Sequence, residues 1–254
     1  MSQLLRHPAY LFGFLLVLLA IATMVGALVL RRIRPIGSDS REDFTIVQGA
    51  TLTLLALLIG FTLSMAVGRY DQRKNLEEEE ANAIGTEYLR ADLIEPADAD
   101  QVRTLLARYL AQRILYYQAT EAPQIREIGT ATAQIEDEMW KVVRDAAVRA
   151  PNPLSALVVA GMNDVINSQG YAEAAWLNRI PVAAWGLMIA IACFCTVMQG
   201  YGIRSERRMG GLILILPLTV ALSLALIADI DSPRGGLIRV VPQNLLSLQA
   251  SLNR

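Results

Sequence analysis

"GRYDQRKNLEEEEANAIGTEYLR", residues 68–90, decides the reading of this chain. It begins where a long apolar run ends, turns basic at Arg69, Arg73 and Lys74, and then sets four carboxylates in a row, Glu77 to Glu80. From Asp71 to Glu95 there is no proline and the single glycine is Gly85, so a helix begun in the apolar run has nothing to stop it. Successive helical residues turn by about 100°, so the four glutamates splay around the helix and cannot form one chelating face. Arg73 reaches Glu77 and Lys74 reaches Glu78 at i, i+4, pairs worth ~0.2–0.5 kcal/mol each. Glu79 and Glu80 have no local base. They are left to solvent, to another helix, or to the mouth of an ion path.

Outward from this stretch the chain is built for lipid. Of its 254 residues 54% are hydrophobic, the mean hydropathy is +0.37, and the excess is concentrated in blocks. A bilayer core needs roughly 20 apolar residues in a helix, and four runs qualify, at 10–30, 44–67, 181–201 and 211–230. The first is too long for a signal-peptide core and is followed by Arg31, Arg32 and Arg34, a stop-transfer pattern that marks a permanent helix. The expected fold is an all-α integral membrane protein with four transmembrane helices and an extramembrane helical bundle inserted between the second and third. The division is 1–68 for a tail and two membrane helices, 69–179 for the bundle, 180–230 for two more, and 231–254 for a carboxyl-terminal tail.

Within 69–179, Val102, Leu105, Leu106, Tyr109, Leu110, Ile114 and Tyr117 recur at helical spacing, as do Ile128, Ile135, Met139 and Val143. Pro96, Pro123 and "APNP" at 150–153 break the pattern, so about four helices are predicted. The segment holds 12 basic and 18 acidic residues, a net −6. Arginines near the helix ends, among them Arg6, Arg204, Arg207 and Arg208, are balanced between the two sides and leave the orientation open. Tyr10, Trp176, Trp185 and Tyr201 suit an aromatic belt at the membrane surface, and Pro217 is expected to kink the fourth helix.

Chemistry-bearing patterns are few. His7 is the single histidine, and no P-loop, dinucleotide glycine pattern or nucleophile elbow occurs, so no enzyme and no cofactor are expected. The net charge of −1 gives no reason to expect nucleic acid. Cys193 and Cys195, two apart on one helix, point away from each other and cannot bridge. In the second apolar run Gln48, Leu52, Ala56, Gly60, Ser64 and Gly68 fall at i, i+4, a stripe that suits close helix packing, an oligomer seam or a pore wall. After the fourth run, "DIDSPRGGLIRV" (229–240) opens a turn in which Asp229 and Asp231 form a weak candidate metal site.

"RYDQRKNLEEEEANAIGTEYLRADL" (69–93), with "ALIADIDSPRGGLIRV" (225–240) far downstream, resembles the bacterial bestrophin-like membrane proteins of unknown function. The likeness extends over almost the whole chain. True bestrophins are homopentameric ion channels whose second membrane helix lines the pore, and whose animal members bind calcium after the fourth. The resemblance implies a homo-oligomeric channel, pentameric by analogy, in a bacterial inner (plasma) membrane, with lipid and ions as partners. Gln48, Leu52, Ala56, Gly60, Ser64 and Gly68 would line the pore, and Glu79 and Glu80 would stand at its mouth. Two departures stand out. Phe61 is alone where the channels carry a phenylalanine-rich neck, and Asp229 and Asp231 replace a longer acidic run. The acidic bundle leans the expectation towards cations. The alternative is a membrane-anchored sensor or scaffold whose bundle binds a ligand or a protein.

Overall fold

The structure is a computed structural model that describes residues 8–37, 39–203 and 211–253. Arg6, His7, Arg204, Arg207 and Arg208 lie outside the described residues. Every regular element among the described residues is helical. Helix α1 (Pro8–Met24) continues through a π-helical turn, Val25–Leu30, into Arg31–Ile33. Helix α2 is one element of 50 residues, Arg41–Arg90, closed by a 3-10 turn at Ala91–Leu93. Then come α3 (Pro96–Gln118), α4 (Ala122–Arg149), α5 (Pro153–Leu177), α6 (Val182–Gly202), α7 (Ile215–Asp231) and α8 (Gln243–Leu252).

The predicted breaks fall at the prolines. Pro96 and Pro153 are the first residues of α3 and α5, and Pro123 is the second of α4. A first-turn N–H has no partner inside the helix, so proline loses nothing there and its fixed φ helps start the turn. Asn152 caps α5, its side-chain oxygen accepting from Leu154 N at 2.8 Å and Ser155 N at 2.9 Å. Pro217 behaves the same way. The helix begins at Ile215, so Pro217 sits in the first turn and not in the interior where a kink was expected.

Among the described residues three helical stretches are long and apolar enough to cross a membrane, within Pro8–Ile33, Arg41–Leu93 and Pro153–Gly202. The fourth apolar run is divided between a 3-10 turn, Gly211–Leu214, and the 17 residues of α7.

The chain divides into two compact units, residues 1–68 with 179–238 and residues 69–178 with 239–254. In the first, α1 packs against both α6 and α7, burying Leu11, Leu15 and Leu19. Backbones of α1 and α6 meet at reciprocal glycines. A Cβ on Gly26 would overlap the Val197 carbonyl oxygen, and one on Gly200 would overlap that of Thr23. The apolar part of α2 is lightly held. Among the described residues of 41–68 only Leu55 and Ala66 are buried, while Phe44 meets Tyr201 edge-on at 5.5 Å and the Cys195 thiol donates to Thr51 O at 3.5 Å.

In the second unit, the end of α2 joins α3, α4, α5 and α8 around one core that includes Ile84, Leu106, Leu110, Met139, Met162 and Leu245. Trp176 stacks edge-on with Tyr116 and Tyr117 at 5.9 and 5.3 Å, contacts worth ~0.5–1.5 kcal/mol each beyond their burial. Trp176 and Trp185 are both buried, so neither belongs to the expected aromatic belt. Tyr10 is exposed. Gly26→Ala and Gly200→Ala are each expected to lower stability by ~1–3 kcal/mol, because the atom in the way is backbone and cannot rotate aside. Thermal unfolding of the purified protein in detergent measures this, and an unchanged midpoint for both would show that the crossing is not tight.

Candidate functional site

The small-residue stripe of α2 is the first part of the site. Gln48 and Leu52 are half-buried, whereas Ala56, Gly60, Ser64 and Gly68 are exposed. A Cβ built on Gly60 or Gly68 would meet nothing within 4 Å. Packing within the chain therefore does not use this part of the stripe. Thr51 and Thr62 turn their hydroxyls back to the carbonyls of Val47 and Leu58 on their own helix, at 2.6 and 2.7 Å. From Ser64 the helix period carries the same exposed side through Asp71, Asn75, Glu78 and Asn82, all exposed.

The glutamate run is divided by this helix into residues that face inward and outward. Glu78 and Glu79 are exposed, and Glu77 and Glu80 are buried. Glu77 holds the start of α8. Its Oε1 accepts from Asn244 N at 2.9 Å and Leu245 N at 3.0 Å, and its Oε2 from Asn244 Nδ2 at 2.7 Å. A carboxylate there also answers the positive end of the helix dipole. Its expected neighbour Arg73, also buried, donates from Nε to Ala175 O at 3.3 Å.

Glu80, expected at a pore mouth, is turned into the interior of its own chain. It is fully buried, ion-paired and hydrogen-bonded to Arg113 Nε, and accepts from Tyr117 Oη at 3.0 Å. A carboxylate sealed inside a bundle presents no charge to water. Arg113, equally buried, also pairs with Glu173 at 2.9 Å and lies over the Tyr116 ring at 4.5 Å. Burial works against its charge, but Glu80, Tyr109 and Glu173 hold the guanidinium protonated above its ordinary range. Burial, reinforced by Glu80, raises the Tyr117 and Tyr109 hydroxyls well above the usual phenol range. Glu136 of α4 is pushed up to about 7 by burial, against the pull of Arg113. The result is a polar layer to which α2, α3, α4 and α5 all contribute.

Asp229 and Asp231 act as turn-builders. Asp229 Oδ1 accepts from Leu237 N at 2.7 Å and Oδ2 from Ile238 N at 2.9 Å. Both oxygens of Asp231 accept from Ile180 N, at 3.1 and 3.3 Å. Among the described residues no group of three or more histidine, cysteine or acidic side chains could hold a metal. The candidate metal pair is thus engaged with backbone amides, which need no ion. Cys193 and Cys195 are free thiols.

Sequence reading missed Arg113, Tyr117, Glu173 and Asn244. The first two carried a signal, since an arginine inside the stripe Tyr109, Leu110, Ile114, Tyr117 falls on the face that must be buried. The partners across 60 or 167 residues carried none.

An all-helical chain with apolar helices of membrane-crossing length and an acidic bundle between the second and third is a helical membrane protein. Residues 17–245 match the Bestrophin-like domain, and the chain belongs to that family. Crystal structures of a bacterial bestrophin homologue from Klebsiella pneumoniae share the fold. The one obtained by Zn-SAD phasing has a TM-score of 0.67 at 14% identity, covering 93% of this chain and 98% of that one. A point variant gives 0.69 at 12% identity, over 95% and 97%. No curated protein matches the chain significantly.

Arg113→Met leaves Glu80 charged and unpaired in the interior and is expected to cost ~3–5 kcal/mol. Adding Glu80→Gln should recover part of that loss, with a coupling of ~0.5–3 kcal/mol in a double-mutant cycle followed by thermal unfolding. Strict additivity of the two changes would refute the pairing.

Proposed function

We propose that the chain assembles into a homo-oligomeric, bestrophin-like ion channel in the inner (plasma) membrane, with four membrane crossings per subunit and α2 lining a central pore. The observation that carries this reading is the state of α2. A helix apolar enough to cross a membrane leaves Gly60, Ser64 and Gly68 uncovered within its own chain. One chain's four helices can hardly enclose a pore, so the uncovered stripe needs further copies around it. The family supports the same direction, and the resemblance to true bestrophins makes five copies the natural number. Ala56, Gly60, Ser64 and Gly68 form the narrow wall, with Gln48 and Leu52 at its far end.

A lean to cations rests on the exposed acids that follow on α2. Asp71, Glu78 and Glu79 are multiplied by the subunit number, and rings of carboxylates favour cations. In this reading the exposed Glu79 stands at the pore mouth, with the exposed Glu78 beside it in place of the buried Glu80. The rival reading, a membrane-anchored sensor or scaffold, would leave the same stripe as an oligomer seam without a water path.

Purified protein in liposomes should pass ions. Ser64→Phe is expected to lower that flux by on the order of tenfold, the effect of a ~1.4 kcal/mol higher barrier. Glu78→Gln should shift selectivity away from cations without changing unfolding, since Glu78 is exposed. Absence of flux for several cations and anions, or a strict monomer by native mass, would overturn the channel.

A further inference from the structure

Glu87 of α2 has no role in the polar layer or the exposed stripe, yet its side chain is fully buried. Neither carboxylate oxygen has a hydrogen-bond partner. Among the described residues the base closest to it is Arg90 on its own helix, whose Nη1 stands 3.9 Å from Oε2. That guanidinium is a third exposed and is shared with Asp164 of α5 at 4.0 Å. The backbone of α5 closes over the carboxylate at Gly161, where a Cβ would overlap both Glu87 Oε2 and Arg90 Nη1. An ionised carboxylate in such a place lacks the two or three donors that would replace water. A neutral carboxyl fits, and a proton is a cation that requires no cavity.

We propose that Glu87 is a proton-binding site whose occupancy sets how tightly α2 and α5 pack at Gly161. With the proton on, the neutral acid sits against the α5 backbone. With it off, the carboxylate must draw in Arg90 or water, and the contact at Gly161 loosens. The charged groups facing Glu87 are Arg90 from α2 and Asp164 from α5, one favouring ionisation and one opposing it. Burial, with Asp164 acting in the same direction, outweighs Arg90 and lifts the group from 4.5 to about 8, so its titration falls in the physiological range. The folded chain keeps a proton that the unfolded chain has released, so this group's share of the stability falls as pH rises from about 4.5 to about 8 and is level above. The proposal concerns the bundle alone and holds whether or not the protein conducts.

The test uses the full chain in detergent, wild type against Glu87→Gln, with thermal midpoints taken from about pH 5 to about pH 9. The difference between variant and wild type is expected to grow in favour of glutamine as pH rises and to level off near the titration. Infrared spectra of wild type minus Glu87→Gln, in which the Glu136 carboxyl common to both cancels, should show a protonated carboxyl band that disappears with rising pH. Gly161→Ala supplies an independent arm, because its methyl group must expel the carboxylate and should flatten the pH dependence. Hydrogen exchange on wild type alone, corrected for the intrinsic effect of pH, should show falling protection around residues 84–93 and 157–168. A midpoint difference independent of pH, together with no titrating carboxyl band and unchanged protection, would overturn the site.

Discussion

Four charged residues on the inner side of α2 govern the second unit. Arg73, Glu77, Glu80 and Glu87 are each no more than 1% exposed. A charge removed from water needs a counter-charge or several donors, and each deprived partner is costly. The partners that satisfy the first three determine which elements must come to α2. Glu80 requires Arg113 and Tyr117 from α3, and Glu77 requires the amino end of α8. Arg73 requires the Ala175 carbonyl near the end of α5. Apolar packing alone would tolerate several arrangements of such helices, whereas these pairs accept one. Glu87 breaks the rule, since neither of its oxygens accepts a hydrogen bond and its counter-charge is the half-buried Arg90 of its own helix.

The first unit obeys the opposite constraint. Its helices carry few charges, and close approach is gained by removing side chains. Gly26 and Gly200 let α1 and α6 touch backbone to backbone, as small residues do where the hydrophobic effect no longer drives helices together. Gly60 and Gly68 on α2 have the same character but nothing against them within the chain. At the end of α7, Asp229 and Asp231 close a turn by binding amides. Two buried acids are tolerated there because each carboxylate has donors waiting.

The fold survives in the Klebsiella pneumoniae homologue at 12–14% identity, so most side chains are free to differ while the helical layout stays. Shared fold leaves the chemistry of the α2 stripe and of the bundle interior to the individual chain. Here that chemistry is an exposed stripe of glycine, alanine and serine on α2, an exposed acidic side further along the same helix, and a charged bundle core.

Much of this was legible from the sequence. The apolar runs, the helical periods and the prolines of the first turns are local features, and they located the helices and the uninterrupted passage of α2 into the bundle. The stripe at Ala56, Gly60, Ser64 and Gly68 follows from spacing as well, but spacing left open whether its own chain would cover it, and the structure leaves it exposed. What spacing could not supply was the sorting of the four glutamates. Adjacent residues on a helix point in different directions, so Glu77 and Glu80 turn inward while Glu78 and Glu79 meet solvent, and only the packed neighbours decide which is which. The partners Arg113, Glu173 and Asn244 lie from 33 to 167 residues away, beyond any local pattern. Pro217 and Trp176 teach the same lesson, since their roles depended on where a helix began and on what packed beside it. Sequence by itself determined the elements, because hydrogen bonding and periodicity act within a few residues. Tertiary structure decided which charges are buried, because a buried charge is defined by partners that only folding brings near.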